Sequence, residues 1–142
     1  GLGSGICGVI TVRDALGLST KVVGVVSTEA PAYALSFAAK KVVATNSANT
    51  MADGMAVRGP DPEALDIILK GADRIVQVSD AEVTAAMRSY YEDAHQLTEG
   101  AGAASLAALM QERDRMKGRR IGLILSGGNI DREVYLRALA DA

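Results

Sequence analysis

The chain has 142 residues, 49% apolar and 23% charged, with a net charge of −2, an ordinary balance for a globular protein and enough length for a real core. That charge leaves no electrostatic footprint for nucleic acid or an anionic membrane surface, and no apolar run approaches the length of a bilayer span. A single cysteine, Cys7, excludes an internal disulfide and suits a reducing cytoplasm, where the protein is expected.

In chain order, "GLGSGICG" opens with glycines and a serine and leads into a helix beginning near Gly5–Ile6 and stopping at Gly17. Ile6, Val9, Ile10, Val12 and Leu16 are expected largely on one face of that helix. "KVVGVV" (21–26) reads as a buried strand and "APAYALSFAAKK" (30–41) as a helix with Pro31 in its first turn. "VVAT" (42–45) is a short strand, followed by a long polar loop. "PEALDIILKGA" reads as helix, "RIVQVS" (74–79) as strand, and "SDAEVTAAMRSYYEDA" as a helix capped by Ser79 and Glu82. "GAGAASLAALMQER" is another helix, "RIGLILS" (120–126) a buried strand, "GGN" a turn and "DREVYLRALADA" a closing helix. The charged "QERDRMKGRR" reads as a solvated helix end. Strands alternating with helices predict one α/β region over 1–142, a mostly parallel sheet flanked by helices.

Open parallel sheets bind ligands at the carboxyl ends of their strands. Three glycine-rich turns suit such places: "GLGSG", "EGAGAA" and "SGGN". At the first, unpaired N–H groups and the helix dipole make a phosphate the natural guest. Gly3, Gly5 and Gly8 also fit G-x-G-x-x-G, with Glu29 about twenty residues on, the dinucleotide fingerprint of a nicotinamide-dependent oxidoreductase. Ser126 ends a strand, where its hydroxyl is a neutral hydrogen-bond partner. Glu99 precedes a small-residue helix whose positive end it favours, and Gly100 to Ala103 suggest close packing against a neighbour or ligand. His95 reads as a polar side chain near a helix end and Cys7 as a small core residue. One His and one Cys make no zinc site, and no metal is expected.

Taken in order and spacing, "GLGSGICG", "NTMADGMAV", "LTEGAGAASLAAL" and "LILSGGNID" resemble the C-terminal part of the threonine/serine dehydratases, fold-type II pyridoxal-phosphate enzymes of the tryptophan synthase β superfamily. The resemblance runs from Gly1 to about Leu136, and the form of the opening loop is most similar to the hydroxyectoine-utilisation branch. It implies that Gly1, Leu2, Gly3, Ser4 and Gly5 bind the cofactor phosphate, with Leu2 and Ser4 standing where the family usually has glycine. It implies further that Gly54 lines the cofactor, Glu99 lies beside its ring, Ser126 hydrogen-bonds the pyridine nitrogen, and Asn129 ends the serine turn. Where many relatives bind a divalent cation, the aligned positions are Val26 and Ala32, which supply no side-chain ligand.

The family's Schiff-base lysine and substrate-carboxylate loop lie upstream of the glycine loop, and Lys21, Lys40, Lys41, Lys70 and Lys117 fall outside a matching motif. No catalytic residue is therefore assigned. Gly1 is expected to be a cut edge, and the chain a C-terminal half inactive without its N-terminal half. A homo-oligomer is expected to cover surfaces so exposed. The implied activity is β-elimination from L-threonine, L-serine or a similar hydroxy amino acid, giving a 2-oxo acid and ammonia. Within the superfamily the alternatives are an amino-acid racemase and a 3-hydroxyaspartate dehydratase.

Overall fold

Helix starts follow from local chemistry. The computed structural model describes residues 1–140. The chain, which carries no linker that its sequence reveals, groups into two compact units. The first comprises Gly1–Thr50 and Met55–Gln77; the second comprises Met51–Gly54 and the described residues from Val78 onward.

In the first unit, α1 (Ser4–Ala15), α2 (Ala32–Ala39) and α3 (Pro62–Gly71) accompany β1 (Val22–Ser27) and β2 (Ala72–Val78), which pair in a parallel two-stranded sheet. Pro62 starts α3 where its missing N–H costs nothing, and the Asp61 carboxylate accepts the Ala64 amide at 2.9 Å. The core gathers Ile10, Val22, Tyr33, Leu65 and Ile68, with Ile6, Phe37 and Ile75 against it.

The buried face of α1 differs from the sequence expectation. Of its apolar residues only Ile10 is fully buried, while Val9, Val12 and the Leu16 that follows the helix are 43%, 57% and 66% exposed. Close approach at two glycines selects the face. A Cβ on Gly71 would lie 2.2 Å from Ile10 Cγ2, and one on Gly24 would lie 3.1 Å from Ile6 Cδ1. Ile6, Ile10 and Arg13 follow helical spacing on that face, and Arg13 Nη1 donates to the Gly71 carbonyl at 3.0 Å.

Two expected strands do not form ladders. In "VVAT", Ser36 Oγ accepts the Val43 amide at 2.8 Å and donates to the Val43 carbonyl at 3.2 Å. The segment is thus tied to α2 by a side chain, so no neighbouring strand is needed. "RIGLILS" joins no ladder among the described residues; Ile121 and Ile124 are exposed, and Ser105 Oγ donates to the Ile124 carbonyl at 2.9 Å.

The second unit is helical: α4 (Asp80–Ala94), α5 (Gly100–Gln111), the short α6 (Arg113–Met116) and α7 (Arg132–Ala140). The last two residues of the expected closing helix lie outside the described residues. Val83, Ala86 and Met87 of α4 are buried, as are Ala103, Ala104, Ala107 and Ala108 of α5, whose small side chains let the two helices pack closely. On its other side α4 meets α7, where Tyr91 and Tyr135 pack edge to face at 6.2 Å and Arg88 donates to the Ala138 carbonyl at 2.9 Å. The charged α6 stretch is mainly exposed, and His95 ends α4 in the left-handed region.

The α4 capping box is complete. Ser79 Oγ accepts the Glu82 amide at 3.3 Å, and Glu82 Oε2 accepts the Ser79 amide at 2.7 Å. That amide, joined by Gln111 and the Ser79 hydroxyl, holds the Glu82 carboxyl below its ordinary pKa against an opposing effect of burial. Ser79→Ala is expected to lower the unfolding free energy of the intact protein by about 1 kcal/mol in urea titrations. Because the Glu82 pKa is depressed on folding, its contribution is present above the ordinary glutamate value and lost as pH falls through the depressed one. Glu82→Gln should therefore destabilise at pH 7 and lose that effect in acid.

Candidate functional site

In the first unit the opening loop turns into α1 at Gly3, whose φ of 99° lies in the region glycine alone adopts readily. The Gly3 carbonyl accepts the Cys7 amide at 2.9 Å, the first bond of the helix. The amides of Ser4, Gly5 and Ile6 precede that bond and have no intrahelical acceptor. A Cβ on Gly3 would lie 3.0 Å from Tyr33 Oη and 3.1 Å from Ala64 Cβ, so this glycine is required by space as well as by backbone angle. Around Gly5 the same test meets nothing within 4 Å. Leu2 and Ser4 are exposed, so neither side chain crowds the loop from the core side.

Beneath the loop, Tyr33 is 5% exposed. Its hydroxyl donates to the Leu2 carbonyl at 2.5 Å and accepts the Asp61 amide at 3.2 Å. Burial foremost pushes the phenol above its ordinary pKa, the Asp61 amide opposes this, and the charges of Asp61 and Cys7 add to the rise. The group is a permanent donor near neutrality. Cys7 is half-buried, its thiol 3.5 Å from the Ala64 carbonyl and pushed up by burial and by the Asp61 charge. It is a packed thiol, not a nucleophile.

Gly8 weakens the dinucleotide reading. The third glycine of that fingerprint serves close helix–strand packing, yet a Cβ on Gly8 would meet nothing within 4 Å among the described residues. Glu29 is exposed just after β1, its amide donating to Ser27 Oγ at 3.1 Å.

In the second unit, three stretches converge: Met51–Gly54, Thr98–Ala103 and Gly127–Gly128. The Gly127 carbonyl accepts the Glu99 amide at 3.1 Å and the Thr98 hydroxyl at 3.3 Å. A Cβ on Gly102 would lie 2.4 Å from that same carbonyl, and one on Gly127 would lie 2.6 Å from Glu99 Oε1. A Cβ on Gly54 would lie 2.9 Å from Ala101 Cβ and 3.9 Å from Glu99 Oε1. Glu99 precedes α5 without capping it by its side chain; its carboxylate is packed against Gly127. The neighbours implied by the small residues of "GAGA" are the Gly127 main chain and Ala52. Ser126 and Asn129 flank Gly127 and Gly128 and are exposed.

The structure thus gathers Gly54, Glu99 and the Ser126–Asn129 turn in one unit, and Gly1 to Gly5 in the other. Sequence reasoning missed Tyr33 and the fully buried Thr98. The signal for Tyr33 was a lone phenol in an apolar helix, which has to find a partner when buried.

Residues 1–127 match the pyridoxal-phosphate dependent enzyme family, and the chain belongs to it. Among curated proteins it is 32% identical over 131 residues to the L-threonine ammonia-lyase of Thermotoga maritima, covering 92% of this chain and 32% of that protein. Among solved structures it superposes on a threonine deaminase from T.th. with a TM-score of 0.86 at 30% identity, covering 92% of this chain and 48% of that one. Maize serine racemase gives a TM-score of 0.87 at 27% identity, covering 97% and 43% respectively. The chain spans about a third of the length of the curated relative.

The packing around Gly127 is directly testable. In Gly102→Ala the new methyl would lie 2.4 Å from a backbone oxygen and 2.5 Å from the buried Thr98 hydroxyl. The unfolding free energy of the intact protein should fall by roughly 1–3 kcal/mol, read from a shifted urea midpoint.

Proposed function

We propose that this chain provides the cofactor-holding part of an enzyme that removes water from a hydroxy amino acid, L-threonine or L-serine, to give a 2-oxo acid and ammonia. The observation that carries the reading is the family match over residues 1–127 together with a glycine loop shaped at Gly3 to present amides at the start of α1. The donor set fits a phosphate monoester: a glycine in the left-handed region, three amides without intrahelical acceptors and the positive end of a twelve-residue helix.

When bound, pyridoxal phosphate supplies an electron sink for charge developing at the substrate α-carbon. Gly1, Leu2, Gly3, Ser4 and Gly5 would hold the phosphate through the main chain, with the exposed Ser4 hydroxyl as a further donor. Ser126 would offer the ring nitrogen a neutral partner. A hydroxyl there does not force protonation of the ring, which suits elimination, where departure of the β-hydroxyl relieves the developing charge. Gly54 would leave space against the cofactor, Glu99 would lie beside its ring, and Asn129 would fix the end of the serine turn. None of the lysines falls in these loops: Lys21 pairs with Asp73 at 3.0 Å and Lys70 pairs with Asp66, both exposed. This chain therefore holds and tunes, and the base is assigned elsewhere. A homo-oligomer in a cytoplasmic setting accords with the exposed Val9, Val12 and Leu16 and the single thiol.

The likeness to serine racemase supports a second reading, racemisation of the same class of amino acid. Both are tested on the intact protein with pyridoxal phosphate and L-threonine or L-serine. The expected result is a visible absorption band that changes on adding amino acid while 2-oxobutyrate or pyruvate accumulates. D-Serine without a 2-oxo acid would establish the racemase, and the absence of any cofactor band would refute both.

A further inference from the structure

The orientation of a single peptide decides whether the opening loop attracts or repels an anion. The peptide between Leu2 and Gly3 is trans, as are all those described, so the Leu2 carbonyl and the Gly3 amide point in opposite directions. Tyr33 Oη binds that carbonyl from the core side. The Gly3 amide consequently faces away from Tyr33, and it directly precedes the amides of Ser4, Gly5 and Ile6, which have no intrahelical acceptor. Were the peptide reversed, a carbonyl oxygen would stand among those donors.

Glycine neighbours make such a reversal easy, so an external restraint has a real task here. Tyr33 is itself restrained. Its ring is part of the core of the first unit, and its hydroxyl accepts the amide of Asp61, whose carboxylate caps α3. The phenol has both roles filled, one donor bond and one acceptor bond, with Gly3 seated directly over it.

We propose that Tyr33 is a positioning residue for phosphate: its hydroxyl sets the Leu2–Gly3 peptide so that the loop presents an amide, not a carbonyl, to a phosphate monoester. This rests on the proposed function of the loop as the cofactor's phosphate site. The role is distinct from stability, because it acts only on ligands that carry the phosphate.

Tyr33→Phe in the intact protein keeps the ring and removes the tether. Dissociation constants are measured for pyridoxal phosphate and for pyridoxal, which lacks the phosphate, with thermal melting in parallel. The expected result is an affinity loss of about tenfold for pyridoxal phosphate, the scale of one hydrogen bond, with pyridoxal unchanged. Replacing Tyr33 by 3-fluorotyrosine, which retains the hydroxyl, should restore binding to within about twofold. Equal losses for both ligands, or none for either, would overturn the proposal whatever the melting temperature does. Should Tyr33→Phe fail to fold, 3,5-difluorotyrosine, a more acidic donor of nearly the same shape, must shift pyridoxal phosphate without shifting pyridoxal; parity overturns the idea. Failure of the unaltered protein to bind pyridoxal phosphate would instead overturn the functional reading itself, before any variant is compared.

Discussion

The carbonyl of Gly127 receives the Glu99 amide and the Thr98 hydroxyl because Gly102 carries no side chain to keep the two strands of main chain apart. That close approach orders the loops gathered in the second unit. It fixes the start of α5, and it holds the Glu99 carboxylate against Gly127 and within reach of Gly54. Ser126 and Asn129 take their places on either side of the same turn. Without the approach, these residues would be separate loops with no shared geometry.

The first unit solves a related problem by a different means. Its loop needs a conformation open to glycine alone, and it needs that conformation held. Gly3 supplies the first, and the buried Tyr33 supplies the second through one phenol with two hydrogen bonds. The loop itself remains open: nothing among the described residues approaches the Cβ position of Gly5. For the proposed phosphate, a loop already held in this way would leave little ordering cost to binding.

Much of the local architecture was legible because its causes lie within a few residues. The Ser79–Glu82 box, the start of α3 at Pro62 and the end of α4 near His95 all follow from neighbours along the chain. The motifs of the site were legible for a related reason: "TEGAGA" and "SGGN" place glycines where main chain must approach main chain, and that need is written in residue type. Family membership, which covers residues 1–127, agrees with what those motifs implied.

By itself the sequence determined the helices, the α/β class and the positions of the glycine-rich loops, since each depends on capping, periodicity or glycine content. Tertiary structure decided everything that needs a distant partner. "VVAT" and "RIGLILS" have strand-like composition, yet a strand exists only when another offers a ladder; one is held by Ser36 and the other joins no ladder among the described residues. Gly8 and Gly102 look equally permissive in the sequence, but open space surrounds one and a backbone oxygen confronts the other. Tyr33 could be read only as an apolar helix residue with a polar tip. Its partners, Leu2 and Asp61, lie 31 and 28 residues away, and only folding brings a hydroxyl to a carbonyl over such a separation.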